Sequence, residues 1–304
     1  MSDISKSGTI SQIVLGTAQL GMPYGEGIWK QSLMPEEEAF NILSAAWERG
    51  VTTLDTSPDY GLAESRIAKF LSRNPQKQFH VISKIKRLSS ETNPPEKCFE
   101  SWLENNPFQN FNNCLSLSLL LHNEFDIFND SLLAQLQKFA ASGNIECWGL
   151  SVYGDKAAKH TLKVSDCKFI QLPFGIINQE FRKNGLLKIL SNQNKRLFAR
   201  SVFSRGLISY PIDHFPGIGQ YEQKIMFELK QFLDGKNCSI YKFAIEFALN
   251  EPAVDHVVVG ADSVEQLEAW FDRGESIKIS DFPKKLVNSL QNFPNLLKKQ
   301  VTHE

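Results

Sequence analysis

The sequence predicts a single-domain α/β fold over residues 1–304, a (β/α)8 barrel of the TIM type. Three observations predict it. Short apolar runs alternate with amphipathic stretches along the whole chain, the pattern of repeated strand–helix units and a parallel sheet. There are eight such runs, and eight units in roughly 250 residues suit a closed barrel. An open dinucleotide-binding sheet is the alternative, but the turn after the first run, Gly16-Thr17-Ala18-Gln19-Leu20-Gly21, lacks the middle glycine of the GxGxxG fingerprint. No Ser/Gly-rich linker divides the chain.

The first strand is expected over 12–19 (QIVLGTAQ). Pro35 opens a helix to Arg49, with Glu36, Glu37 and Glu38 in a first turn where acids suit the helix dipole. Gly50 caps it. The second strand is 52–57 (TTLDTS), and the helix 63–71 carries Ile67, Phe70 and Leu71 at core spacing. Strand three is 79–85 (FHVISKI); Pro94 and Pro95 precede a helix over 96–104. Strand four, 115–121 (LSLSLLL), runs into His122. The next helix places Phe125, Phe128, Leu132, Leu133, Leu136, Phe139 and Ala140 on one stripe and ends at Gly143.

Strand five is 147–152 (CWGLSV), followed by a helix over 155–163. Strand six is 169–174 (FIQLPF), with a helix near 185–190; Pro173 and Gly175 act there as backbone devices. Strand seven is 197–203 (LFARSVF). A Gly/Pro-rich loop over 210–219 leads to a helical pair, 223–233 and 240–249. Strand eight is 256–260 (HVVVG), Ser263 caps a helix through Trp270, and a last amphipathic helix runs from 282 to about 290.

Composition excludes several classes. Lys+Arg is 33 against 34 Asp+Glu, so the chain has no electrostatic footprint for nucleic acid and no polybasic patch for a membrane surface. The cysteines (Cys98, Cys114, Cys147, Cys167, Cys238) are odd in number and scattered, neither a disulfide framework nor a zinc site. The N-terminus MSDISKSGTISQ is polar and unlike a signal peptide, and no apolar run approaches the ~20 residues of a bilayer span. A cytoplasmic protein with reduced cysteines, no metal, no nucleic acid and no membrane is expected.

Barrel active sites lie at the carboxyl ends of the strands. There the sequence places Asp55 with Tyr60 just beyond, Lys84, His122, Ser151, Gln171, and Arg200 with Ser201. Charged groups beside apolar strands are costly unless paired or used. Gathered at one mouth, Asp55, Tyr60, Lys84 and His122 make a proton-transfer site: Lys84 lowers the phenol's pKa, Asp55 keeps Lys84 charged, and Tyr60 serves as general acid. Taken singly, each has a structural reading, as helix cap, surface ring, snorkelling lysine or satisfied histidine. Their joint placement on successive strand ends argues for function. Arg200 and Arg205 fit a structural ion pair as well as a ligand contact, and Trp29 fits a pocket wall as well as the barrel rim.

These residues identify a resemblance. The segments QIVLGTAQLG, WERGVTTLDTSPDYGLAE, ISKI, LLLHN, WGLSV, IQLPF, ARSVFSRGLI and VVVGADSVEQL make the chain similar to the aldo-keto reductase superfamily along nearly its whole length. The resemblance implies NAD(P)H-dependent, reversible reduction of an aldehyde or ketone. It makes Tyr60 the proton donor, with Lys84 and Asp55 behind it and His122 orienting the carbonyl oxygen. It also places Gly16, Thr17 and Asp55 near the nicotinamide and Ser151 and Gln171 on its carboxamide. Val152 stands where an Asn is usual, and Arg200, beside Ser201, where many members stack a Tyr on the ring.

Gly260, Asp262 and Gln266 correspond to the adenosine end. Residues 260–270 (GADSVEQLEAW) hold three acids and no Lys or Arg, whereas a 2′-phosphate wants cations. The cofactor is therefore NADPH by family habit, with these residues favouring NADH or dual use. GTAQLGMPYG and ARSVFSRGLI are similar to a bacterial branch, some of whose members act near sugar or cell-surface biosynthesis, which makes a sugar derivative one candidate among small carbonyl substrates. The altered contacts also motivate a second reading, a nucleotide-binding regulatory or partner subunit with little turnover.

Overall fold

The computed structural model describes residues 11–24, 32–85, 95–108, 114–208, 218–271 and 276–293. Its strands are β1 (Ile13–Gly16), β2 (Thr53–Asp55), β3 (Phe79–Ile85), β4 (Cys114–Leu121), β5 (Trp148–Ser151), β6 (Cys167–Pro173), β7 (Arg196–Arg200) and β8 (His256–Gly260). They pair in sequence order, all parallel, and β1 closes on β8 with Gly16 opposite Gly260. The (β/α)8 barrel expected from the alternation is the fold found.

The helices are α1 (Ala18–Gly21), α2 (Glu36–Glu48), α3 (Ala63–Arg73), α4 (Pro95–Asn105), α5 (Asp130–Ala141), α6 (Asp155–His160), α7 (Glu180–Lys183), α8 (Leu186–Ser191), α9 (Gln220–Asp234), α10 (Ile240–Leu249), α11 (Val264–Glu268) and α12 (Lys284–Gln291). Two apolar clusters hold the layers. Val14, Ile82, Leu120, Cys147, Phe169, Phe198 and Val258 come from around the ring of strands. Their sequence neighbours, such as Leu15, Val81 and Leu121, join the larger cluster between sheet and helices. Strands buried on both faces read as continuous apolar runs, as β3 does. No described helix is long and apolar enough to cross a membrane.

Several expected boundaries move, each for a local reason. The first strand stops at Gly16, because Thr17 turns inward and both its N–H and Oγ1 donate to Asp55 O, at 3.0 and 2.9 Å. The seventh stops at Arg200, because Ser201 has φ 57°. The long stripe after β4 is two elements, a 3-10 turn (Glu124–Phe128) and α5. Asn123 and Asn129 each cap a new start, accepting from Phe125 N–H and Leu132 N–H. Phe125 and Phe128 therefore leave the buried stripe, and Phe125 is 62% exposed. The helix expected over 155–163 likewise ends as a 3-10 turn (Thr161–Lys163). The caps behave as expected: Gly50 and Gly143 take left-handed φ, and Ser263 Oγ accepts from Gln266 N–H. Most of the 210–219 loop lies outside the described residues.

Candidate active site

Asp55 ends β2, Lys84 lies one residue from the end of β3, and His122 follows β4 directly. Strand register thus brings three side chains from distant sequence to one mouth. Lys84 Nζ donates to Asp55 Oδ2 at 2.7 Å and to Thr56 O at 2.9 Å. The other carboxylate oxygen, Oδ1, accepts from Gln171 Nε2 at 2.5 Å. Lys84 and Asp55 are 1% and 3% exposed. Nζ also lies 4.8 Å from the centre of the Tyr60 ring. The His122 ring meets Tyr60 edge-on, with centroids 6.4 Å apart.

The electrostatics correct one expectation. Burial raises the Tyr60 phenol more than Lys84 lowers it, and the phenol is pushed up to about 12 rather than down. Burial pulls Lys84 down, but the Asp55 carboxylate and the phenol more than offset it, so Lys84 titrates above an ordinary lysine. Lys84 is charged, and Tyr60 keeps its proton at neutral pH.

The turn that carries Tyr60 is docked against α1. Tyr60 N–H donates to Ser57 O, Leu62 N–H donates to Gly21 O at 2.9 Å, and the Arg66 guanidinium donates to Leu20 O. A Cβ at Gly21 would sit 2.0 Å from Tyr60 O and 2.1 Å from Ala63 N, so only glycine permits this approach.

Two acidic residues escaped the sequence reading. Asp59 Oδ2 lies 3.0 Å from His122 Nδ1. Its signal was adjacency to Tyr60 in SPDYG. Glu64, buried at the start of α3, accepts from Ser83 Oγ at 2.5 Å, next to Lys84 in sequence. Burial raises its carboxyl to about 7 despite the lowering effects of Ser83 and Lys84. Here the signal was a Glu on the apolar face of a helix.

Ser151 and Gln171 stand in register on β5 and β6, both buried. The Gln171 amide is engaged by Asp55. Among the described residues Arg200 pairs with no acid. Its guanidinium stacks 4.0 Å over the Tyr153 ring, Nη2 donates to Val152 O at 3.0 Å, and Nη1 reaches Ser201 Oγ at 3.4 Å. Its Nε is buried with no partner among the described residues. A buried hydroxyl, a buried amide and an orphaned guanidinium N–H suit a planar, polar ligand group such as a carboxamide-bearing ring.

Gly16 and Thr17 lie at the β1 end, beside Gly260. Beyond β8, Asp262 N–H donates to Gln266 Oε1 at 2.5 Å, which closes the loop locally, and Gln266 Nε2 donates to Tyr241 OH at 3.2 Å, which ties it to α10. A cation does reach this region from elsewhere: Arg49, after α2, pairs with Glu268. Trp29 and the Arg205 side chain lie outside the described residues.

The chain is similar to the D-arabinose 1-dehydrogenase of Saccharomyces cerevisiae, at 24% identity over 97% of this chain and 93% of that protein. It is similar to a D-threo-aldose 1-dehydrogenase of Pseudomonas sp, at 24% identity over 77% and 82% of the two chains. Its fold superposes on a glycerol dehydrogenase from Gluconobacter oxydans with a TM-score of 0.71, at 21% identity, covering 92% and 91% of the two chains. Residues 12–290 match the model of the Aldo/keto reductase family, and the chain is an oxidoreductase that belongs to it.

Proposed function

We propose that this chain interconverts an aldehyde or ketone and the corresponding alcohol with a nicotinamide nucleotide, using Tyr60 as general acid. The observation that carries this reading is Lys84, buried, bonded to Asp55 and set against the Tyr60 ring. A phenol near 12 holds its proton until an oxygen in the site becomes basic. Lys84 then stabilises the phenolate left behind, and Asp55 and Thr56 O hold the ammonium in place. His122 contacts the same substrate oxygen.

When bound, the nicotinamide supplies or accepts hydride. Ser151 and Gln171 would hold its carboxamide, and the Arg200–Tyr153 stack its ring. Gly16, Thr17 and Ser201 would border it, with Gly260, Asp262 and Gln266 toward the adenosine. NADH is expected to serve at least as well as NADPH, since residues 260–270 hold no basic residue and Arg49 is paired. The names of the two aldose dehydrogenases make a sugar-like substrate the first to try.

The test follows cofactor absorbance with a panel of aldehydes, keto-sugars and aldoses. Tyr60→Phe should cost at least about 100-fold in kcat/KM. Undiminished turnover by Tyr60→Phe would overturn the mechanism.

A further inference from the structure

Asp59 is one of two acidic residues, with Glu64, that the four-residue site leaves without a role. Its Oδ2 meets His122 Nδ1 at 3.0 Å. Its own N–H donates to Ser57 Oγ at 3.2 Å, which steadies the turn that carries it. The two side chains are 29% and 26% exposed, so the pair sits at the rim of the site, where a substrate can reach the histidine.

An ionised carboxylate only accepts hydrogen bonds, so this contact needs a proton on Nδ1. A neutral imidazole has one ring proton. With that proton on Nδ1, Nε2 is a bare lone pair. Neutral His122 then accepts a hydrogen bond at Nε2, and it donates one there only as imidazolium. A substrate hydroxyl has a hydrogen to give to that lone pair. A carbonyl oxygen has none.

We propose that Asp59 is a positioning residue that holds the His122 proton on Nδ1, so that the site favours the hydroxyl form of its substrate, an alcohol or cyclic hemiacetal, over the carbonyl form. This rests on the reading of His122 as a substrate contact. Asp59→Leu keeps roughly the size of the side chain and removes the acceptor for Nδ1–H, which frees the ring to carry its proton on Nε2. Asp59→Ala releases the ring to the same tautomer, and Asp59→Glu restores a carboxylate.

The experiment is a long-range proton–nitrogen correlation on protein labelled with nitrogen-15 histidine, with His122 assigned through His122→Gln. The wild type and Asp59→Glu should show neutral His122 protonated on Nδ1, and Asp59→Leu and Asp59→Ala on Nε2. In kinetics at a pH where the correlation spectrum shows His122 neutral, both of the latter variants should raise KM for the alcohol and lower KM for the carbonyl, each by about fivefold, the worth of one hydrogen bond. A purely structural role would move both KM values together. A wild-type His122 protonated on Nε2, or KM shifts in one direction for both substrates, would overturn the proposal. The tautomer is read without turnover, so it stands or falls separately from the Tyr60→Phe test of the activity.

Discussion

Lys84 Nζ lies 2.7 Å from Asp55 Oδ2, and both side chains are almost wholly buried. Such a pair is a weak source of net stability but costly to break, because the survivor is a lone buried charge. Lys84→Met should therefore destabilise the protein by about 3–5 kcal/mol in addition to ending turnover. Lys84→Met with Asp55→Asn should recover part of that loss, since the orphaned charge is gone. Urea unfolding of the four proteins in the double-mutant cycle measures the coupling. Strictly additive losses would show that the pair does not act as a unit.

Gly21 gives a second handle on the same site. Any Cβ there collides with the backbone of Tyr60 and Ala63. Gly21→Ala should push the Tyr60 turn away from α1 and from Lys84. Because reacting groups must be placed to within about an ångström, kcat should fall by about 100-fold in any folded protein that remains. Circular dichroism alongside kinetics separates misplacement from unfolding. A folded Gly21→Ala protein with wild-type kcat would refute the docking argument.

How much of this was legible in the sequence follows from which forces write themselves into local pattern. The strands showed because those such as β2 and β3 are buried on both faces and read as apolar runs. Asp55, Lys84 and His122 showed because polar residues at the ends of such runs have few structural excuses. The Phe125–Phe128 stripe misled because two asparagine caps interrupt it, and a cap outweighs periodicity over five residues. Asp59, Glu64 and Arg49 were unreadable as partners. Each meets a group far away in sequence, His122, Ser83 and Glu268, and only barrel closure sets those distances. The direction of the Tyr60 shift was missed for a related reason: its neighbours were visible in sequence, but the desolvation of its hydroxyl was not.

Glu64 should make stability fall with rising pH. Burial raises its folded-state carboxyl to about 7 from a reference of 4.5. The fold favours the neutral form, so the contribution is fully present below about pH 4.5 and is lost as pH rises through 7. Glu64→Gln keeps an acceptor for Ser83 without the charge. It should match the wild type near pH 4.5 and exceed it at pH 8, by at most about 3 kcal/mol. Urea unfolding at both pH values measures this, and a constant difference between the two proteins would contradict the assignment.

We expect nucleotide preference to respond to the Arg49–Glu268 pair. Residues 260–270 hold no cation of their own, and Glu268 engages the one that arrives from α2's end. In the wild type, titration by protein fluorescence should give NADH a Kd no weaker than that of NADPH. Glu268→Ala releases Arg49 beside α11 and removes a like charge from the neighbourhood of a 2′-phosphate. The ratio of Kd values should then shift toward NADPH by about fivefold, and the shift should shrink as salt rises. Lys in place of Arg49 in the Glu268→Ala background should keep less of it, because a guanidinium meets phosphate with two parallel donors and an ammonium does not. An unchanged ratio in Glu268→Ala would place the 2′-position away from Arg49 and return the preference to the acids of the loop itself.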